Sequence, residues 1–184
     1  MAEKKVLVIL ADGFEEVEAL GPIDVLRRCG ARVAIAGLDG KCIRGAHDAY
    51  IGCDAVLSDV ASESFDAIVL PGGMPGAKNL HESELVNKVI LDTYGRKDLV
   101  CAICASPAFV LAPTGILNGR KVTCYPGCEA VAPQVKFSKD RTVKDGNIIT
   151  GAGPGTALEF GLLIAEALYG KEKANQIHSD MICL

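Results

Sequence analysis

"LVCAICASPAFVLA" at residues 99–112 is the stretch whose reading decides the fold. Leu99 to Ile103 is a continuous apolar run of five residues, as expected of a strand covered on both faces. A small, helix-prone run follows it. Ser106 and Pro107 fit a helix start, with serine as N-cap and proline at the first helical position. Cys104 stands at the corner between strand and helix. Three readings of it are open: a small buried thiol, half of a metal-binding CxxC with Cys101, or a nucleophile. Buried cysteine is common, so the first is the general expectation. The corner favours the third, because unpaired N–H groups and the dipole at a helix N-terminus lower a thiol pKa.

The same alternation runs outward in both directions. "KVLVIL" (5–10) is another continuous apolar strand, broken at Asp12-Gly13, and "EEVEALGPIDVLRRCG" (15–30) reads as a helix closed by Gly30. "ARVAIAGL" and "FDAIVLPGG" are strands, the second running into Gly72-Gly73. "AYIGCDAVLSD" holds short strands or a hairpin, and "SELVNKVILDTYGRK" is apolar at helical spacing. Short β or loop pieces follow between 120 and 150. "TALEFGLLIAEALYGKEKANQI" then supplies a long helical region interrupted near Gly170. Strands alternating with helices predict a single doubly wound α/β domain over 1–184, its mostly parallel sheet sandwiched between helices. Ligands in such sheets bind beyond the carboxyl ends of the strands. That rule nominates the loops at 11–18, 71–76 and 104–107.

Composition bounds the function. A hydrophobic share of 49% over 184 residues is enough for an ordinary core without staples. The net charge of −4, with no basic run among aromatics and no Trp, argues against a nucleic-acid groove. No run approaches the length of a membrane span, and "VLVILA" is too short for a secretory leader. "MICL" has its cysteine second from last, so it is not a prenylation box. Cytoplasmic residence is expected, and with it eight cysteines that are mostly incidental thiols rather than a disulfide framework.

Glu18 is the acid out of place. Its helical neighbours Phe14, Gly21, Pro22 and Val25 make an apolar and small face, on which a carboxyl is desolvated and its pKa raised. The alternative, also open from the helix alone, is that Glu18 reaches solvent or pairs with Arg27 or Arg28. Glu15 and Glu16 suit a first helical turn, where the dipole favours acids. Gly72 and Gly73 would let backbone N–H groups approach a ligand, as an oxyanion hole requires, with the Ala105 amide as second donor. "GAGPGTALEF" (151–160) imitates a dinucleotide loop, but Thr156 replaces the third glycine. Thr156 with Glu159 reads instead as a capping box. CxxC at 101–104 and CxxxC at 124–128 resemble two halves of a zinc site, but strand residues three apart, Cys101 and Cys104, point to opposite faces, which argues against it. None of His47, His81 and His178 can be assigned to Cys104, and His81 reads as solvated.

"GFEEVE" (13–18), "VLPGG" (69–73), "VCAICASPAFVLA" (100–112) and "GPGTALEFGLLIAEALYGKEKA" (153–174), in this order, resemble the ThiJ/PfpI superfamily, in particular its parkinsonism-associated protein deglycase branch. The resemblance covers essentially the whole chain and implies a flavodoxin-like fold and a homodimer. It implies that Cys104 is the reactive cysteine, Glu18 its hydrogen-bonding acid, Gly73 and Ala105 backbone donors, and Glu15 a member of the same pocket. It implies cofactor-free handling of reactive aldehydes such as methylglyoxal and glyoxal, or of glycated groups, of the glyoxalase III or deglycase type. Oxidative-stress sensing through cysteine oxidation and chaperone-like activity belong to the same family. The chain departs from the pattern in places. Tyr125 stands where the branch's best-known member has a histidine, so it can bind or orient but not act as that base. Ala105 replaces the histidine of the protease-like branch, which argues against peptidase activity. Ser106 stands where Gly or Ala is usual, and Ala152 and His47 where arginine is common.

Overall fold

A computed structural model describes residues 3–183; Met1, Ala2 and Leu184 lie outside it. The chain runs β1 (Lys5–Leu10), α1 (Glu16–Arg28), β2 (Arg32–Gly37), β3 (Cys42–Arg44), β4 (Tyr50–Gly52), β5 (Ala55–Val56), α2 (Leu57–Val60) and β6 (Ala67–Leu70). It continues α3 (Gly76–Glu82), α4 (Glu84–Gly95), β7 (Leu99–Ile103), β8 (Val122–Thr123), β9 (Phe137–Ser138), β10 (Thr142–Asp145), β11 (Ile148–Gly151), α5 (Ala157–Tyr169) and α6 (Lys171–Asp180). Seven strands form one sheet in the order β10-β11-β7-β6-β1-β2-β5, parallel except for the β10–β11 pair. The strands at its centre are buried on both faces, which is why β1, β6 and β7 read as unbroken apolar runs.

From β1 the chain moves one way across the sheet to β2, and from β6 the other way to β7. Right-handed crossovers in opposite directions place α1 and α4 on opposite faces. The strand order therefore reverses between β1 and β6, and the loops after these strands open at that switch point.

α1 and α5 lie against each other through small residues. A Cβ added to Gly161 would stand 3.0 Å from Pro22 Cα, and one added to Gly21 3.4 Å from Ala157 Cβ. Gly30 and Gly170, at φ +91° and +88°, end α1 and separate α5 from α6 where the sequence placed those breaks. The stretch read as short strands or a hairpin divides: β4 pairs with β3, which lies upstream of it, in a separate antiparallel hairpin, and β5 joins the main sheet.

Three local expectations are corrected. Ser106 is helical (φ −63°, ψ −34°) and makes no capping bond, because its hydroxyl donates to Pro71 O at 2.5 Å instead. Thr156 does not cap α5 with Glu159. Its hydroxyl turns back to Gly153 O at 2.8 Å, and Glu159 is drawn off by Arg141 at 3.0 Å. His81 is half-buried within α3 rather than solvated, since its ring is packed where helix and loop meet.

Candidate active site

Cys104 follows β7 at φ +64°, a left-handed conformation rare outside glycine and costing on the order of 1–3 kcal/mol. The corner is fixed by its own backbone. Cys104 N–H donates to Gly151 O at 2.9 Å, and Cys104 O accepts from Tyr125 N–H at 2.8 Å. Ser106, tied to Pro71, holds the turn after β7 against the turn after β6. The following helix is a single π turn, Pro107–Leu111, continued by a 3-10 turn that closes at Gly115.

Glu18 arrives from α1, on the other side of the switch point. It is fully buried, at 0% exposure, and pairs with neither Arg27 nor Arg28. Its Oε2 accepts from Gly72 N–H at 2.9 Å. Its Oε1 is buried with no hydrogen-bond partner, and the carboxyl as a whole stands beside the Cys104 side chain across Gly72. Glu15 caps α1, its carboxylate accepting Glu18 N–H at 2.7 Å, while its own N–H donates to Gly72 O at 3.0 Å. The loops after β1, β6 and β7 are thus laced together at the residues the sequence nominated.

Only glycine fits at 72 and 73. A Cβ on Gly72 would fall 2.7 Å from both Cys104 Cβ and Glu18 Oε2. Gly73 sits at φ +87°, and its Cβ would fall 2.4 Å from Glu15 N. The two glycines let the backbone approach the sulfur, so that the Gly73 and Ala105 amides both bear on it.

Burial pushes Glu18 up to about 7, and the Glu15 carboxylate adds to the rise; the Cys104 thiol and the Gly72 amide oppose it. Cys104 departs from the sequence expectation. Its thiol is pushed up rather than down, first by burial at 8% exposure and then by the Glu18 carboxylate, and the two amides only partly offset this. One short π turn does not overcome burial and a neighbouring carboxylate together. Thiol and carboxyl are therefore coupled, and a negative charge on one disfavours it on the other.

The remaining candidates lie around this pair. Tyr125 is 48% exposed, with its ring over Gly153, while its amide holds Cys104. Among the described residues no histidine is a partner of Cys104 or Glu18. His47 is held on the β3–β4 connection by Glu16, Nδ1 to Oε2 at 2.9 Å, and Glu16 also accepts the His47 and Ala49 amides. Glu16 thus fastens the hairpin to α1, beyond the dipole role read from sequence. Cys101 lies fully buried within β7, away from the corner. Sequence reasoning missed the Ser106–Pro71 tie and the Tyr125 amide, since neither contact leaves a local pattern.

The arrangement defines a class: a flavodoxin-like α/β protein with a cysteine at a strand-end corner and a buried acid beside it. Residues 4–167 match the DJ-1/PfpI family, and the chain belongs to that family. The Parkinson disease protein 7 homolog of Danio rerio is 45% identical over 99% of this chain and 98% of its own length. The glutathione-independent glyoxalase DJR-1.2 of Caenorhabditis elegans is 37% identical over 96% and 95%. The structure of oxidized Toxoplasma gondii DJ-1 superposes with a TM-score of 0.94 at 37% identity, covering 97% of this chain and 98% of that one.

Proposed function

We propose that the protein converts 2-oxoaldehydes such as methylglyoxal and glyoxal to 2-hydroxy acids, or releases them from glycated groups, through Cys104 and Glu18 and without a cofactor. The observation that carries this reading is the buried Glu18 carboxyl beside Cys104, with one oxygen on the Gly72 amide and the other without a partner. The name of the Caenorhabditis elegans relative points to the same chemistry. Glu18 takes the thiol proton as sulfur adds to the aldehyde carbon, giving a hemithioacetal whose oxyanion meets the Gly73 and Ala105 amides. Glu18 gives that proton to the oxyanion, then carries the aldehyde carbon's proton to the adjacent carbon while the hydroxyl proton passes to the neighbouring oxygen, leaving a thioester. Water hydrolyses it, so methylglyoxal plus one water gives lactate with no net oxidation. Lactate should form from methylglyoxal without glutathione. Equal rates in wild type and Cys104→Ser would sink the proposal.

A second reading uses the same thiol as an oxidation sensor linked to the oxidative-stress response, with any chaperone-like activity downstream. Glu18 titrates near neutrality, so its protonated form is available to donate to a sulfinate on Cys104, beside the same two amides. Mass spectrometry after graded peroxide should find Cys104 modified first. Oxidation spread evenly over all eight cysteines would count against it.

The working form is proposed as a cytoplasmic homodimer of single-domain chains. All eight cysteines are free, as a reducing compartment favours. Val17, Leu158, Leu162, Met181 and Ile182 line one groove of about 490 Å³, with Ile182 87% exposed, an apolar face suited to a second copy. No helix among the described residues is long and apolar enough to cross a membrane.

A further inference from the structure

The CxxxC at 124–128 is a motif the proposed chemistry leaves unused. Its two thiols differ in where they stand. Cys124 lines a cavity of about 480 Å³ with Thr123, Pro126, Val135 and Phe137, a cavity to which Cys104 and Glu18 contribute nothing. Cys128 is half-buried near Cys124, at the start of the next 3-10 turn. Its N–H donates to Tyr125 O at 2.9 Å, and Tyr125 N–H donates to Cys104 O at 2.8 Å, so the turn is docked by its backbone on the Cys104 corner. Residues 125–127 and 129–131 are exposed, and Cys128 alone among them is turned inward. The 3-10 turn it opens packs on the π turn that follows Cys104. Its thiol is pushed up by burial first, then by the carboxylates of Glu129 and Glu18, so it lies within the field of the acid that faces Cys104.

We propose that Cys128 is the resolving thiol of Cys104: after a hydroperoxide oxidises Cys104 to the sulfenic acid, Cys128 attacks that sulfur and closes a Cys104–Cys128 disulfide. The inference rests on the reactive Cys104 read above and adds a reversible branch to its oxidation. In the first step Cys104 sulfur takes one oxygen from the hydroperoxide, whose remainder leaves as an alcohol, or as water from hydrogen peroxide. In the second the S–S bond forms, the S–O bond breaks, and the Cys128 proton leaves with the hydroxyl as water. Two thiols thus give two electrons to one peroxide, and a dithiol reductant restores both by exchange. A disulfide needs Cα atoms about 4.4–6.8 Å apart. The 125–131 segment, exposed apart from Cys128, must close onto the corner for that bond to form.

The test is peptide mapping without reduction, on full-length protein given graded hydrogen peroxide and then alkylated. Wild type, Cys128→Ser, Cys128→Ala and Cys124→Ser are compared, each first checked for an unchanged thermal melt when reduced. Wild type should give a Cys104–Cys128 linked peptide at low dose that a dithiol removes. Both Cys128 variants should lose it and carry Cys104 to sulfinate at lower peroxide, while Cys124→Ser behaves as wild type. Selective sulfinate on Cys104 at one dose in all variants, with no linked peptide, overturns the resolving role and leaves the reactive Cys104 standing. A Cys124–Cys128 link in place of the expected one also overturns it. Cys104 oxidising no faster than the other cysteines overturns both readings.

Discussion

At the scale of the residue, Glu18 decides what Cys104 can be. The carboxyl is raised from 4.5 to about 7 by burial and by Glu15, so the folded protein holds its proton more tightly than the unfolded chain does. The sign follows. Its contribution to stability is fully present below the unfolded pKa and is lost as pH rises through the folded one. Glu18→Gln has no proton to lose. Between pH 4.5 and about 7 its stability should therefore gain on wild type by roughly 3 kcal/mol in denaturant unfolding. A constant offset across that window would show that Glu18 does not titrate there. The same variant separates a general base from a preformed thiolate. Alkylation of Cys104 in wild type should rise with pH through about 7, as Glu18 becomes able to accept the thiol proton, and Glu18→Gln should lose that step.

At the scale of the element, glycines with opposite surroundings report what holds α1 in place. Gly161 in α5 faces Pro22 and Val25 of α1, where an added Cβ would stand 3.0 Å from Pro22 Cα. Gly95 ends α4 with nothing within 4 Å. The same substitution should act with opposite sign. Gly161→Ala should destabilise by about 1–3 kcal/mol through overpacking, and Gly95→Ala should be neutral or stabilise by up to about 1 kcal/mol through helix propensity. Chemical denaturation of both settles it, and a harmless Gly161→Ala would mean that α1 shifts freely. If α1 shifts, Glu18 shifts with it, so Gly161→Ala should also slow Cys104 alkylation. The corner after β7 obeys the same logic, since Ser106 gives up capping to tie two strand-end turns together.

At the scale of the whole molecule, the apolar groove at Val17, Leu158 and Ile182 lies on the side where α1 and α5 meet. Leu158 is 40% exposed in the single chain. Leu158→Glu should therefore spare the monomer's fold while converting the proposed dimer to monomer in light scattering. A wild-type protein that is monomeric at micromolar concentration would overturn the dimer. The sheet adds a second whole-molecule effect, because its strand order reverses between β1 and β6 and brings three sequence-distant loops to one edge.

Much of this was legible in the sequence. Apolar runs gave the central strands, because burial on both faces leaves no alternation to confuse them. Gly30 and Gly170 marked the breaks at α1 and α5, because a positive φ is cheap only for glycine. The corner at Cys104 and the acid on an apolar helix face were visible for the same local reasons. Hydrogen bonds between distant segments were not, and they set the site's electrostatics: Ser106 to Pro71, Tyr125 to Cys104, Gly72 to Glu18. Sequence alone predicted a lowered thiol pKa, because it supplies the helix start but not the burial of the sulfur, which with the Glu18 carboxylate outweighs it. What the chain determines by itself is which residues are apolar, small or acidic, and hence the elements. What only the tertiary structure decides is which of them meet in a buried space, where a charge on Glu18 is a charge denied to Cys104.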